Sequence, residues 1–525
     1  MQQRVMNRIC AALAVAPLSV AVHAAPTCKD VERFLTGKAT GVVCFHTGDL
    51  RTANATNVPP ITPPDDSLTT FANGKPLPGV ALDLIPGVFT LPANFGSYSP
   101  TKDRGVISNG PAPTTKPVPG IQVEGWYADD PAGQARFLLR FPDDWNGKLV
   151  VAGASGTRSE FNGDWAWSDY VLPKGYAYAS QNKGVLNFYD VALSATQPQN
   201  DRLSCRVNPP GGALSTLWVH FYDVDPPKPF TQWTQYMLET AQLAQSALKA
   251  TYNKYPSRTY AVGTSNGGYQ VRRAVEEAPN LFDGGVDWEG TYVNPTENIL
   301  VDLPVAVKYF PAYVAAGYDQ TSDAAKAIMA AGYPPDIVKR DAQGKFVDSL
   351  WKHYSDSYWE LTACQWQKRF DPTYDTYAAG VANYDLLSRL DRPGVFDSLA
   401  AVTTTGKIKK PLVTVAGTMD ALLPIKRQAR AYEDAVNDSR NGNNDHRNAQ
   451  YRLYEVQNGN HIEGYIKIFP QLRVIQPYAQ KAFDLLVAHV EKNAALPPSQ
   501  CIPLDGAIEA NPSQAGNCTN LYVAP

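Results

Sequence analysis

The 525-residue sequence carries 47 basic and 50 acidic side chains, a formal charge of −3, and so offers no general electrostatic surface for nucleic acid. Hydrophobic residues at 44% and charged residues at 18% exclude a disordered chain and a collagen-like or coiled-coil rod. The length admits two to four domains of about 100 to 200 residues, or one α/β domain with large insertions.

Residues 1–24 read as a secretory signal, with Arg4 and Arg8 at the start, an apolar run from Ile9 to Val22, and small residues before a cut at Ala24/Ala25. The run contains Pro17 and is too short to span a bilayer, and no later segment qualifies, so the expectation is a secreted or periplasmic protein without membrane association. Cys10 leaves with the signal. The remaining Cys28, Cys44, Cys205, Cys364, Cys501 and Cys518 are an even set with no Cys-x-x-Cys spacing, which points to disulfides rather than a metal knuckle. Proximity pairs Cys28 with Cys44 and Cys501 with Cys518, which leaves Cys205 with Cys364.

Residues 25–119 are rich in Pro, Gly, Thr and Asn and read as an irregular, strand-containing N-terminal region. Strand-length apolar runs follow at Ile121–Tyr127, Ala135–Arg140, Lys148–Ala152 and Tyr176–Ser180. Gln232–Tyr252 then places Trp233, Tyr236, Met237, Thr240, Leu243, Ala244, Ala247 and Leu248 at helical spacing. A strand at Arg258–Val262, a turn at Gly263-Thr264-Ser265-Asn266-Gly267, a helix at Tyr269–Ala278 and a strand at Val286–Trp288 close the first core segment, 120–293. Residues 294–408 are aromatic-rich with helical patterns, including Ala324–Ala331 and Leu350–Gln367, and read as an inserted cap. The α/β alternation resumes over 409–495 with a strand at Pro411–Ala416, a helix at Ile425–Val436, a strand at Arg452–Val456 and a helix at Tyr478–Lys492; 496–525 is a disulfide-bearing tail. Such alternation predicts an α/β fold with a mostly parallel sheet covered on both faces. The stretch Asn437–Asn448 reads as a polar surface loop and lacks the carboxylate spacing of a calcium loop.

Gly263-Thr264-Ser265-Asn266-Gly267 matches G-x-S-x-G between strand and helix, the setting in which a sharp turn projects a nucleophilic hydroxyl. A nucleophilic Ser needs a base, and the base an orienting acid. In this architecture the acid and then the His follow later strands: Asp420 comes just past Pro411–Ala416, and His461 lies in a Gly/Asn loop after Arg452–Val456. Asp287 and Glu289, one strand after the nucleophile, are rival acids. An oxyanion hole needs two backbone N–H groups, one from Asn266 and one from the Gly153-Ala154-Ser155-Gly156-Thr157-Arg158 loop, where Ala154 or Ser155 is the second donor.

Gly263–Gly268, the loop Gly153–Ser159 and the segment Gly175-Tyr176-Ala177-Tyr178-Ala179-Ser180-Gln181-Asn182-Lys183-Gly184 together resemble secreted 3-hydroxybutyrate oligomer hydrolases. Through Phe282-Asp283-Gly284-Gly285, the cap and the Asp420 and His461 segments, roughly residues 120 to 490 also resemble tannases and feruloyl esterases. Those families carry Cys before the catalytic Ser and after the catalytic His, whereas this chain has Thr264 and Ile462. The resemblance implies an α/β-hydrolase fold and a serine carboxylic-ester hydrolase acting through an acyl-enzyme, with no metal or organic cofactor. Its substrate would be an oligomeric or small ester. Aromatic esterase activity, a non-catalytic binding role on a hydrolase scaffold, and peptidase activity are the alternatives.

Overall fold

The computed structural model describes residues 26–51, 116–130, 135–156, 160, 164–184, 188–191, 205–206, 217–220, 230–441 and 451–525. Residues 1–24, expected to be a signal, and most of the region 25–119 lie outside the described residues. Ten strands form one sheet: β1 (Ala39–Thr47), β2 (Gly120–Tyr127), β3 (Arg136–Pro142), β4 (Lys148–Gly153), β5 (Ala177–Gln181), β6 (Arg258–Thr264), β7 (Gly284–Trp288), β8 (Leu412–Gly417), β9 (Tyr451–Val456) and β10 (Gln500–Ile502). Their spatial order is β1-β2-β3-β5-β4-β6-β7-β8-β9-β10. The pairs β1/β2, β2/β3 and β3/β5 are antiparallel and every later pair is parallel. This is an α/β-hydrolase fold. The sheet extends past the expected core segments at both edges, through β1 on one side and β10 on the other.

The parallel strands are apolar because both faces are covered. Along β4, Leu149 and Val151 pack into one core while Val150 and Ala152 enter the other. The first core receives Tyr236, Met237, Ala241 and Ala244 of helix α1 (Thr231–Tyr252) and Val271 and Val275 of helix α2 (Asn266–Glu277). The second receives Ala479, Ala482, Phe483 and Leu486 of helix α3 (Gln476–Lys492). Residues 425–428 form a turn in which the Arg427 N–H donates to the Pro424 carbonyl at 2.8 Å, and the helix expected from Ile425 begins only at Ala429 and runs to Asn441. It therefore takes in the start of the segment read as a polar loop; residues 442–450 are outside the described set.

A cap of helices lies between β7 and β8. Its first helix, Ile299–Ala315, holds Pro304 and Pro311. Leu350–Tyr354 and Glu360–Phe370 are α-helical and are joined through a wide, π-type turn at Ser355–Trp359. The cap has its own core, including Phe310, Tyr313, Trp351, Tyr354, Trp359 and Trp366. Cys205 joins Cys364 across 159 residues, tying the segment before α1 to the cap; Cys28–Cys44 and Cys501–Cys518 close the other two bridges. No helix among the described residues is long and apolar enough to cross a membrane.

Candidate active site

The chain leaves β4 for β5 on one side and returns to β6 on the other, so the direction of winding reverses between β4 and β6. A crevice at the carboxyl ends of the strands is expected at such a reversal. Ser265 follows β6 there, beside the loop after β4. Its backbone sits at φ 58°, a left-handed value for a residue with a side chain, and α2 starts at the next residue. The turn is possible because Gly263 and Gly267 lack side chains: a Cβ on Gly263 would lie 2.3 Å from the Gly267 carbonyl oxygen, and one on Gly267 would lie 2.4 Å from the Gly153 oxygen. The Ser265 amide donates to the Trp288 carbonyl at 2.8 Å, tying the turn to β7.

His461 Nε2 lies 3.0 Å from Ser265 Oγ, and its Nδ1 lies 2.7 Å from Asp420 Oδ2. All three side chains are buried. They come from loops after β6, β8 and β9, and 196 residues separate the Ser from the His. The other oxygen of Asp420, Oδ1, accepts from the amides of Leu422 (2.8 Å) and Leu423 (2.6 Å), which fixes the orientation of the carboxylate. Two cap side chains reach these loops: Tyr354 donates to Asn460 Oδ1 (2.9 Å) and Trp359 Nε1 to the Ala421 carbonyl (2.7 Å). The cap is thereby anchored next to both His461 and Asp420.

The rival acids separate. Asp287 is buried but engaged with Arg272 Nε (2.6 Å), the Gly290 amide (2.7 Å) and Thr414 Oγ1 (2.9 Å). Glu289 is close: its Oε2 lies 3.6 Å from His461 Nδ1, and its backbone is held at φ 53°. Burial first, and then the Asp420 charge, push its carboxyl well above the ordinary range. It accepts from Trp288 Nε1 and from the Gly417 amide, both at 3.1 Å. Glu289, Asp420 and His461 offer ligand atoms within 4.8 Å of one another, yet a cation there would have to displace the His461–Asp420 hydrogen bond.

As the first residue of α2, Asn266 has an N–H without an intrahelical acceptor, at the positive end of the helix. Ala154 requires a correction. Its N–H donates to Gln270 Oε1 at 3.0 Å and is not available as the second donor, which moves that expectation to Ser155. Sequence alone assigns no role to Gln270 or to Lys183, although the latter stands in the segment Gly175–Gly184 that resembles the 3-hydroxybutyrate oligomer hydrolases. Nothing in residue type or spacing reveals which way a loop's peptide planes face.

Residues 375–519 match the family described as 3HB-oligomer hydrolase (3HBOH). That stretch resembles the 3-hydroxybutyrate oligomer hydrolases. It contains Asp420 and His461, whereas Ser265 lies outside it. The D-(-)-3-hydroxybutyrate oligomer hydrolase of Burkholderia thailandensis is 32% identical over 134 residues, covering 25% of this chain and 18% of the relative. Proteins of the same description from Burkholderia mallei match over the same shares at the same identity. Among solved structures, feruloyl esterase B from Aspergillus oryzae covers 89% of this chain and 91% of its own at 12% identity, with a TM-score of 0.47. Tannin acyl hydrolase from Aspergillus niger covers 79% and 86% at 13% identity, with a TM-score of 0.41.

Proposed function

We propose that the protein is a secreted serine carboxylic-ester hydrolase that acts on 3-hydroxybutyrate oligomers or related short esters. The observation that carries this reading is the continuous hydrogen-bonded line Ser265–His461–Asp420 at a strand-to-helix turn, in the chain order expected of such hydrolases. Ser265 Oγ attacks the ester carbonyl while His461 Nε2 takes its proton. Asp420 holds the imidazole with Nδ1–H toward itself and stabilises the imidazolium. The oxyanion is met by the Asn266 N–H at the start of α2 and by the Ser155 N–H. The imidazolium then protonates the departing alkoxide, and water, activated by the same His, releases the acid from the acyl-enzyme.

The cap, held beside His461 and Asp420 through Tyr354 and Trp359, is on this reading the part that selects among acyl and alcohol groups. The three disulfides suit an oxidising compartment, in keeping with export directed by residues 1–24. The oligomer hydrolase likeness supports the choice of substrate class, and Thr264 and Ile462 in place of the tannase cysteines count against an aromatic esterase. The test is a hydrolysis panel of 3-hydroxybutyrate dimers and trimers, gallate and ferulate esters, and p-nitrophenyl esters of graded length. Highest kcat/KM on the hydroxybutyrate oligomers supports the reading. Preference for gallate or ferulate moves the protein to the aromatic esterases, and cleavage of short peptides without any ester hydrolysis makes it a peptidase.

A further inference from the structure

The segment Gln181-Asn182-Lys183-Gly184 follows β5 and is built to aim one side chain inward. Gln181 Oε1 accepts the Lys183 amide, and Asn182 Oδ1 accepts the amides of Gly184 (3.2 Å) and Arg136 (2.9 Å). Lys183 itself takes a left-handed backbone, φ 65°, and is fully buried. Left-handed conformations at residues with side chains are uncommon, and strained backbone positions cluster at active sites and ligand clamps.

Its ammonium ends among the carbonyls of the loop after β4: 2.6 Å from the Ser155 oxygen, 2.6 Å from the Gly156 oxygen and 3.4 Å from the Ala154 oxygen. The face of the Trp233 ring lies 5.3 Å away. Burying an ammonium is costly, and these carbonyls offset that cost. In a trans peptide the C=O and the following N–H point in opposite directions. Drawing the Ala154 and Ser155 carbonyls toward Lys183 therefore turns the N–H groups of Ser155 and Gly156 away from it. Gln270 holds the loop from the other side, accepting the Ala154 N–H and donating through Nε2 to the Trp233 carbonyl at 2.6 Å. The same loop is pressed on the start of α2, where Gly153 meets Gly267 without room for a Cβ.

We propose that Lys183 is a positioning residue for the oxyanion hole, its ammonium gathering the carbonyls of Ala154, Ser155 and Gly156 so that the Ser155 N–H is presented to the oxyanion formed at Ser265. The inference rests on the reading of Ser265 as nucleophile. It assigns a task to a buried cation that the proton-transfer chemistry does not use.

The experiment compares wild type, Lys183→Met, Lys183→Gln and Ser265→Ala by burst kinetics with p-nitrophenyl acetate and by inhibition with phenylboronic acid, whose tetrahedral adduct places an oxygen where the oxyanion forms. In Lys183→Met the acylation rate should fall about a hundredfold or more, the scale of losing one oxyanion donor, while half-saturation by substrate changes less than about threefold. Boronate affinity should fall in step with acylation. Lys183→Gln, which retains two donors, should lie between the two. A residue that merely supported the fold would not shift the boronate and the acylation rate together. Wild-type acylation in Lys183→Met, or slower acylation with boronate affinity unchanged, overturns the inference. So does failure of both variants to fold, which would make Lys183 a core residue. A Ser265→Ala protein that still turns over removes the reading of the site, whereas an inactive Ser265→Ala beside an unimpaired Lys183→Met removes only this inference.

Discussion

Replacing Asp420 by Asn keeps the shape of the carboxylate and removes its charge. In a serine protease triad such a change costs about 10⁴-fold in turnover, or roughly 5.4 kcal/mol. Here a second carboxyl stands behind the imidazole. At an effective dielectric of about 20, an imidazolium and a carboxylate attract by about 6 kcal/mol at the 2.7 Å of Asp420 and by about 4.6 kcal/mol at the 3.6 Å of Glu289. The difference of about 1.4 kcal/mol corresponds to roughly tenfold in rate, so an ionised Glu289 would recover most of the loss. In the wild-type site burial and the Asp420 charge, with Glu463 as a further negative neighbour, push the Glu289 carboxyl well above the ordinary range and so disfavour its charged form. The Asn variant removes the Asp420 charge and leaves the burial. Glu289 should then ionise at lower pH than in the wild type, still above the ordinary carboxyl range, accepting from Trp288 Nε1 and the Gly417 amide. The assay is the pH profile of kcat/KM from pH 5 to 10. Asp420→Asn should be down about 10⁴-fold at the acid end and recover toward one to two orders of magnitude below wild type at the alkaline end. Glu289→Gln alone should stay within about threefold of wild type, since burial and Asp420 already disfavour a charge at that position, and the double variant should remain low at every pH. A recovery that survives in the double variant refutes the reasoning, and a Glu289→Gln enzyme as impaired as Asp420→Asn would transfer the orienting role to Glu289.

The Cys205–Cys364 bridge closes a loop with a sequence separation of 159, so the Cys205→Ser/Cys364→Ser variant should lose about 5 kcal/mol by chain entropy, read from urea unfolding without reductant; a loss below about 1 kcal/mol would contradict that account. Burial pushes the Asp302 carboxyl up to about 8, with Arg427 opposing. A raised folded-state value means that stabilisation is complete below the unfolded value, about 4, and is lost as pH rises through about 8. Asp302→Asn, uncharged throughout, should therefore lie nearest wild type in Tm at pH 4 and exceed it by most at pH 9; the same offset at both pH values would contradict this.

The central strands were legible because burial on two faces demands unbroken apolar runs such as Leu412–Ala416, and the turn at Ser265 because its glycines leave no alternative to close backbone approach. Ser265 was a candidate from its G-x-S-x-G setting and Asp420 and His461 from strand order, a topological argument that needs no distances but left Asp287 and Glu289 as rival acids. The first cap helix was not legible, since Pro304 and Pro311 argue against helix locally and only packing in the cap core overrides them. β10 is three residues long and exists through pairing with β9, which no local pattern encodes. Glu289 was weighed as a rival acid, but its approach to His461 depends on the left-handed turn it makes after β7, and the choice between Ala154 and Ser155 depends on a hydrogen bond to Gln270, 116 residues away.

Titration with a fluorophosphonate followed by peptide mapping tests the central claim most directly. Activity should fall linearly to zero at one equivalent, with the adduct on Ser265 and with no labelling of the Ser265→Ala or His461→Ala proteins. Full activity after complete labelling, or an adduct on any other residue, would contradict a serine esterase built on Ser265, His461 and Asp420.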